Sequence, residues 1–135
     1  TLYEYHGVGL AGPQVHECKR IILVDRSAGE DPDGGMLVLV NPVVTEASDA
    51  TEEDWEGCLS IPDIRGRVPR ASQIVVESKD RKGRDQTHSV SGFTARIMQH
   101  EIDHLDGVLF LDRMTDMLSL TFLPEYGRYW TDDAE

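Results

Sequence analysis

The sequence is short of several things that sort proteins into classes. Cysteine is scarce, with Cys18 and Cys58 the only two in 135 residues. Two thiols close one bridge at most, so this is no disulfide scaffold, and a reducing compartment is expected. Positive charge is short too: 13 Lys and Arg stand against 25 Asp and Glu, a formal charge of −12. That balance argues against a protein that grips phosphates, so no direct nucleic-acid binding is expected. No apolar run approaches the ~18 residues of a membrane-spanning helix, and no membrane partner is expected. The first residues carry Glu4 and His6 in place of a basic and then apolar secretory leader. Met is missing at the start, so a fragment or a processed product is expected. There is no internal repeat and no low-complexity tract. What remains is a length that fits one domain, residues 1–135, with 39% apolar residues to build its core.

Along the chain, residues 7–14 are too rich in glycine for regular structure. Residues 20–25 read as a buried strand and residues 36–44 as a second, with a loop at 27–35 between them. Residues 45–56 hold Glu46, Asp49, Glu52, Glu53, Asp54 and Glu56 and no Lys or Arg, and read as a solvated loop. Residues 74–78 and 87–90 read as a hairpin around 80–84. The cations Arg65, Arg67, Arg70, Lys79, Arg81, Lys82 and Arg84 read mostly as a solvated hairpin surface. One long helix is expected from near Ser91, a fitting N-cap, to near Asp106, with Gly107 as its left-handed terminator. At about 100° per residue, Phe93, Ile97, His100, Glu101 and His104 share one face. Ala95, Met98, Ile102 and Leu105 share a second. Arg96, Gln99, Asp103 and Asp106 form a polar stripe. A helix with so little polar girth is expected to be buried between sheets.

The strongest chemical signal is His100-Glu101-Ile102-Asp103-His104. Two His at i and i+4 aim both imidazoles at one ion. Glu101 projects beside that ion, where it can take a proton from a water the ion activates. Leaving two His and a Glu buried without partners would cost several kcal/mol. A catalytic site of this type needs a third protein ligand. No His follows His104; Glu125 is one downstream candidate, and Cys58, 42 residues before His100, is the better upstream one.

Three motifs stand in order: the glycine segment ending in Gln14, then Glu56-Gly57-Cys58-Leu59-Ser60, then Gln99 through Gly107. Together they closely resemble the peptide deformylase family, over about residues 7–112. The resemblance implies an α+β domain, with a central metal-binding helix enclosed by antiparallel or mixed β-sheets. It implies removal of formyl from N-formylmethionyl peptides of nascent proteins, with release of formate. It assigns Cys58, His100 and His104 as metal ligands and Glu101 as general acid/base. It assigns Gln14 and the Leu59 backbone N–H as donors to the oxyanion, a role worth about 3–4 kcal/mol per donor. Val8, Gly9 and Gly57 match the edge where substrate lies as an added strand. Arg65 matches a residue lining the Met pocket. The implied cofactor is one divalent metal ion, Fe2+ in the cell, with Zn2+ or Ni2+ possible in a purified sample. The implied location is the cytoplasm of a bacterial or phage-infected cell, or an organelle.

Several features depart from the family pattern. Gly12 stands where Ala is usual. Arg96 stands where an apolar residue is frequent, and is expected to point outward. The stretch before the glycine motif is short, so an N-terminally truncated domain is expected. The end, residues 130–135, is acidic where bacterial members often carry a basic ribosome-docking helix. Acidic segments repel an RNA-rich surface. Stable ribosome docking is therefore not expected, and a monomer is favoured with the oligomeric state open. His16 and Cys18 read as a half-buried strand edge, and residues 118–123 as a cap on the core. Two rivals remain: an endopeptidase with a downstream ligand, and a metal-binding homologue without turnover.

Overall fold

The computed structural model describes residues 9–11, 20–29, 34–58 and 61–122. The strands are β1 (Gly9–Ala11), β2 (Ile21–Asp25), β3 (Met36–Ala47), β4 (Thr51–Cys58), β5 (Ile61–Ala71), β6 (Gln73–Lys79), β7 (Asp85–Ser91) and β8 (Thr121–Phe122). The α-helices among the described residues are α1 (Gly92–Leu105) and the single turn α2 (Phe110–Arg113), with a 3-10 turn at Arg26–Ala28. They form a five-stranded sheet in the order β1-β2-β3-β6-β7 and a three-stranded sheet in the order β4-β5-β8. Every strand pair is antiparallel. The architecture is α+β, with α1 packed against strands of both sheets.

Alternation fixes which face of the large sheet meets the helix. Ile22 and Val24 of β2 and Ile74 and Val76 of β6 are buried, and they pack with Ala95, Ile97, Met98 and Ile102 of α1. The expected hairpin is β6–β7, in register from Gln73↔Ser91 to Lys79↔Asp85. A smaller cluster of Val68, Phe110 and Met114 joins β5 to α2. Of the stretch expected to cap the core, the described residues 118–122 do not do so, since Leu118 is 88% and Phe122 62% exposed; residue 123 lies outside the described residues.

Helix α1 ends where Gly107 directs. Its φ of +75° is left-handed. The Val108 N–H bonds Asp103 O at 2.9 Å and the Gly107 N–H bonds His104 O at 3.2 Å. Those two bonds satisfy carbonyls that the helix leaves unpaired. Ser91 sits at the N-cap position with extended backbone, though its side chain makes no capping bond.

The acidic stretch is not a loop. β3 runs on to Ala47, β4 starts at Thr51, and only residues 48–50 lie between them. The reason is the partner strand: across β4–β5, Arg67 meets Glu53 at 3.7 Å and Arg70 meets Glu56 at 2.9 Å. Acidic β4 and basic β5 neutralise one another across the ladder. Residues 51–54 do face solvent, as their composition suggests.

Candidate metal centre

Two elements deliver the chemistry. Cys58 ends β4, while His100 and His104 lie one turn apart on α1. Cys58 Sγ is 3.1 Å from His104 Nε2, and His104 Nε2 is 3.2 Å from His100 Nε2. One ligand atom from each residue falls within 4.8 Å of the others. A thiolate and two imidazoles suit a divalent transition metal. The ring orientations fit that use. The His100 Nδ1–H donates to Glu56 Oε1 at 2.9 Å, which turns the Nε2 lone pair toward the cluster.

Glu101 lies beside the cluster, 4% exposed. Its Oε1 is buried with no hydrogen-bond partner among the described residues. Burial pushes its pKa up to about 7, against the pull of His100 and His104. A carboxyl that titrates near neutrality both takes and returns a proton. Strand β1 crosses directly above it. A Cβ on Gly9 would lie 2.5 Å from Glu101 Oε2 and 2.8 Å from Ile97 Cγ2, so only glycine fits.

Behind the ligands lies a buried ionic network that sequence reasoning missed. Arg70 Nε and Nη2 donate to Glu56 Oε2 and Oε1 at 2.9 and 3.0 Å, and its Nη1 donates to Asp103 Oδ2 at 2.5 Å. Arg113 closes the chain with two bonds to Asp103. Burial would raise the Glu56 pKa, but hydrogen bonds from His100 and Arg70 outweigh it and hold it at about 2. Burial would lower the His100 pKa, but bonds to Cys58 and Glu56 raise it to about 10. Arg70 is thus no member of a solvated surface; it is 5% exposed. Arg96 also reverses its expectation. It is 5% exposed and turned inward, because β4 and β5 offer it the Glu56 carboxylate and two backbone carbonyls. The β4–β5 register shifts between Glu56 and Cys58, yet both side chains reach α1, Glu56 at His100 and Cys58 at His104.

Arg65 is half-buried on β5, and its guanidinium covers Gly57, so that a Cβ there would lie 2.9 Å from Arg65 Cζ. Val8, Gln14 and Leu59, with His16 and Cys18, lie outside the described residues. A family model for polypeptide deformylase matches residues 1–119. The chain belongs to the polypeptide deformylase family. Members are metal-dependent hydrolases that remove N-formyl groups from nascent peptides. The chain is 48% identical over 120 residues to a peptide deformylase of Pelotomaculum thermopropionicum, covering 89% of this chain and 73% of the relative. The fold is similar to the Thermotoga maritima peptide deformylase, with a TM-score of 0.79 and 38% identity over 86% of this chain and 75% of that one. It is also similar to a class I type b peptide deformylase of Acinetobacter baumannii bound to Met-Ala-Ser, with a TM-score of 0.78 and 41% identity over 84% of this chain and 74% of that one. No helix among the described residues is long and apolar enough to cross a membrane.

Proposed function

We propose that residues 1–135 form one catalytic domain that hydrolyses the formamide of N-formylmethionyl peptides, with Cys58, His100 and His104 as metal ligands and Glu101 as the proton carrier. The observation that carries this reading is the convergence of three ligand atoms within 4.8 Å beside a buried carboxyl. When bound, a divalent ion supplies Lewis acidity, which lowers the pKa of water and polarises a carbonyl. Glu101 accepts the proton of the attacking water and passes it to the leaving amine as the C–N bond breaks, so formate and a free α-amine result. Gln14 and the Leu59 N–H donate to the oxygen on which charge builds. Val8, Gly9 and Gly57 receive the peptide backbone as an added strand, and Arg65 borders the Met side chain. The Met-Ala-Ser carried by the Acinetobacter relative supports a peptide with an N-terminal Met as ligand. Fe2+ is the ion assigned in the cell, with Zn2+ or Ni2+ as replacements. The protein acts as a monomer on freely diffusing chains, without nucleic-acid contact or stable ribosome docking. Its place is where translation starts with formylmethionine, the bacterial cytoplasm or an organelle.

The test is direct. Metal-loaded protein is given formyl-Met-Ala-Ser under anaerobic conditions and, separately, an unstructured acetylated protein. Formate release that stops with chelator is expected. Internal cleavage of the acetylated protein, or no turnover from folded, metal-replete material, would refute the reading.

A further inference from the structure

We propose that Arg96 is a positioning residue for the metal centre, locking the ligand helix to the β4–β5 ribbon and holding Glu56 on His100. The proposal rests on the reading of Cys58, His100 and His104 as ligands. That ligand set is split between two elements, so any slip of α1 against β4 changes the separation of Sγ from the two Nε2 atoms. Apolar packing is non-directional and resists such slip weakly. Arg96 supplies direction at this seam. It precedes His100 by four residues and His104 by eight, so the three share one helical stripe. Its Nη1 donates to Glu56 Oε2 at 2.6 Å and to Val68 O at 2.8 Å, and its Nη2 donates to Glu52 O at 2.6 Å. One guanidinium thus ties α1 to β4 twice and to β5 once. Two of the three acceptors are backbone carbonyls, so the grip does not depend on another side chain's rotamer. Arg70 also holds Glu56, but from β5, and reaches α1 only through Asp103. Without Arg96, Glu56 keeps its charge and its bond to His100 Nδ1 but loses its second tether to α1, so only the imidazole it supports links the two. An ammonium is a point donor and cannot reproduce the planar fork.

Arg96→Met and Arg96→Lys test this, with Arg67→Ala as an exposed control on the same ribbon, where Arg67 meets Glu53 at 3.7 Å. Three quantities are read: Co2+ affinity by chelator competition, the visible and thiolate charge-transfer absorption of the Co2+ protein, and kcat and KM on formyl-Met-Ala-Ser. Arg96→Met is expected to weaken Co2+ binding by roughly 10- to 100-fold, the usual scale for support residues of a metal ligand. Its absorption shifts, and kcat falls while KM stays within about twofold. Arg96→Lys recovers part of the affinity, and Arg67→Ala matches wild type. A folded Arg96→Met protein with wild-type affinity and absorption overturns the proposal. Should that variant fail to fold, Arg96→Lys decides: wild-type affinity and absorption overturn the proposal, and a shift in both supports it. A Co2+ charge-transfer band that is seen in the wild-type protein and persists in Cys58→Ala would bring down the ligand reading itself, and the proposal with it.

Discussion

Replacing Glu56 with Gln removes one charge and almost no volume, so its effect isolates the buried ionic network. The Glu56 side chain is 5% exposed. It accepts from Arg70 at 2.9 and 3.0 Å, from Arg96 at 2.6 Å and from His100 at 2.9 Å. In Glu56→Gln the two buried guanidiniums are left with one remaining carboxylate, Asp103, which Arg70 reaches and Arg96 does not, and which Arg113 shares. Removing one partner of a buried ion pair costs about 3–5 kcal/mol. Proton linkage gives the same size. The Glu56 carboxyl is held at about 2 against an ordinary 4.5, and at about 1.36 kcal/mol per unit that is roughly 3 kcal/mol. The sign follows from the depressed value. The stabilisation is fully present above the unfolded pKa of 4.5 and is lost as pH falls through 2. Urea unfolding of metal-free wild type and Glu56→Gln is therefore expected to differ by about 3 kcal/mol at pH 7, with the gap closing between pH 4.5 and 2. A domain of ordinary stability, about 5–15 kcal/mol, survives that loss. A gap below about 1 kcal/mol at pH 7, or one that stays constant into acid, would refute the reasoning.

Three further outcomes are expected. Glu101→Gln retains metal, measured by elemental analysis, but loses about a hundredfold or more in kcat; near-normal turnover would remove Glu101 from its role. Gly9→Ala puts a Cβ 2.5 Å from Glu101 Oε2, so the strand or the carboxyl must move. The cost is about 1–3 kcal/mol of stability and at least tenfold in kcat/KM; wild-type kinetics would mean β1 yields freely. In metal-free protein, Glu101 is raised from 4.5 to about 7, so its charging erodes stability as pH climbs through that window, and His100, raised from 6.5 to about 10, withdraws its stabilisation as pH rises through the next. Metal-free stability should therefore decline from about pH 5 to pH 10, whereas the metal-loaded protein, in which His100 is held neutral as a ligand, is flatter at the upper end. Equal metal-free unfolding free energies at pH 6 and pH 9 would contradict this.

Much of this was legible because the signals are local. Helix α1 announced itself through apolar spacing and through Gly107, whose left-handed φ closes the helix in the way its sequence position implies. The His pair needed only the helical repeat, and β6–β7 only alternation and a turn. The β4–β5 ribbon was illegible because its strand character is not in its own residues. Residues 51–54 are all exposed and three of them acidic, a composition that reads as loop. What makes them strand is the basic partner that tertiary structure brings alongside. Arg96 failed for a related reason. A polar stripe on a helix is read as facing water, and here it faces the Glu56 carboxylate and two carbonyls from residues at least 28 positions away.

The missed residues and the recognised ones share a logic. β4 carries Cys58 and Glu56, whose side chains reach His104 and His100: a ligand, and the support for a ligand that belongs to the helix. On α1, His100 and Arg96 lie four apart, so a helix presents them on one stripe: a ligand, and the anchor for the carboxylate that belongs to the strand. Each element therefore carries one part of the centre and one part of the other element's scaffolding. Neither half is useful alone. The bond from His100 to Glu56 spans 44 residues of chain and the contact of Cys58 with His104 spans 46, so the ligand geometry exists only once the ribbon has docked on the helix. Loop closure over such spans is costly and is recovered only when the contacts form together. A bond network made of short, directional, charge-assisted contacts meets that demand better than an apolar seam, because it rewards one register and penalises its neighbours.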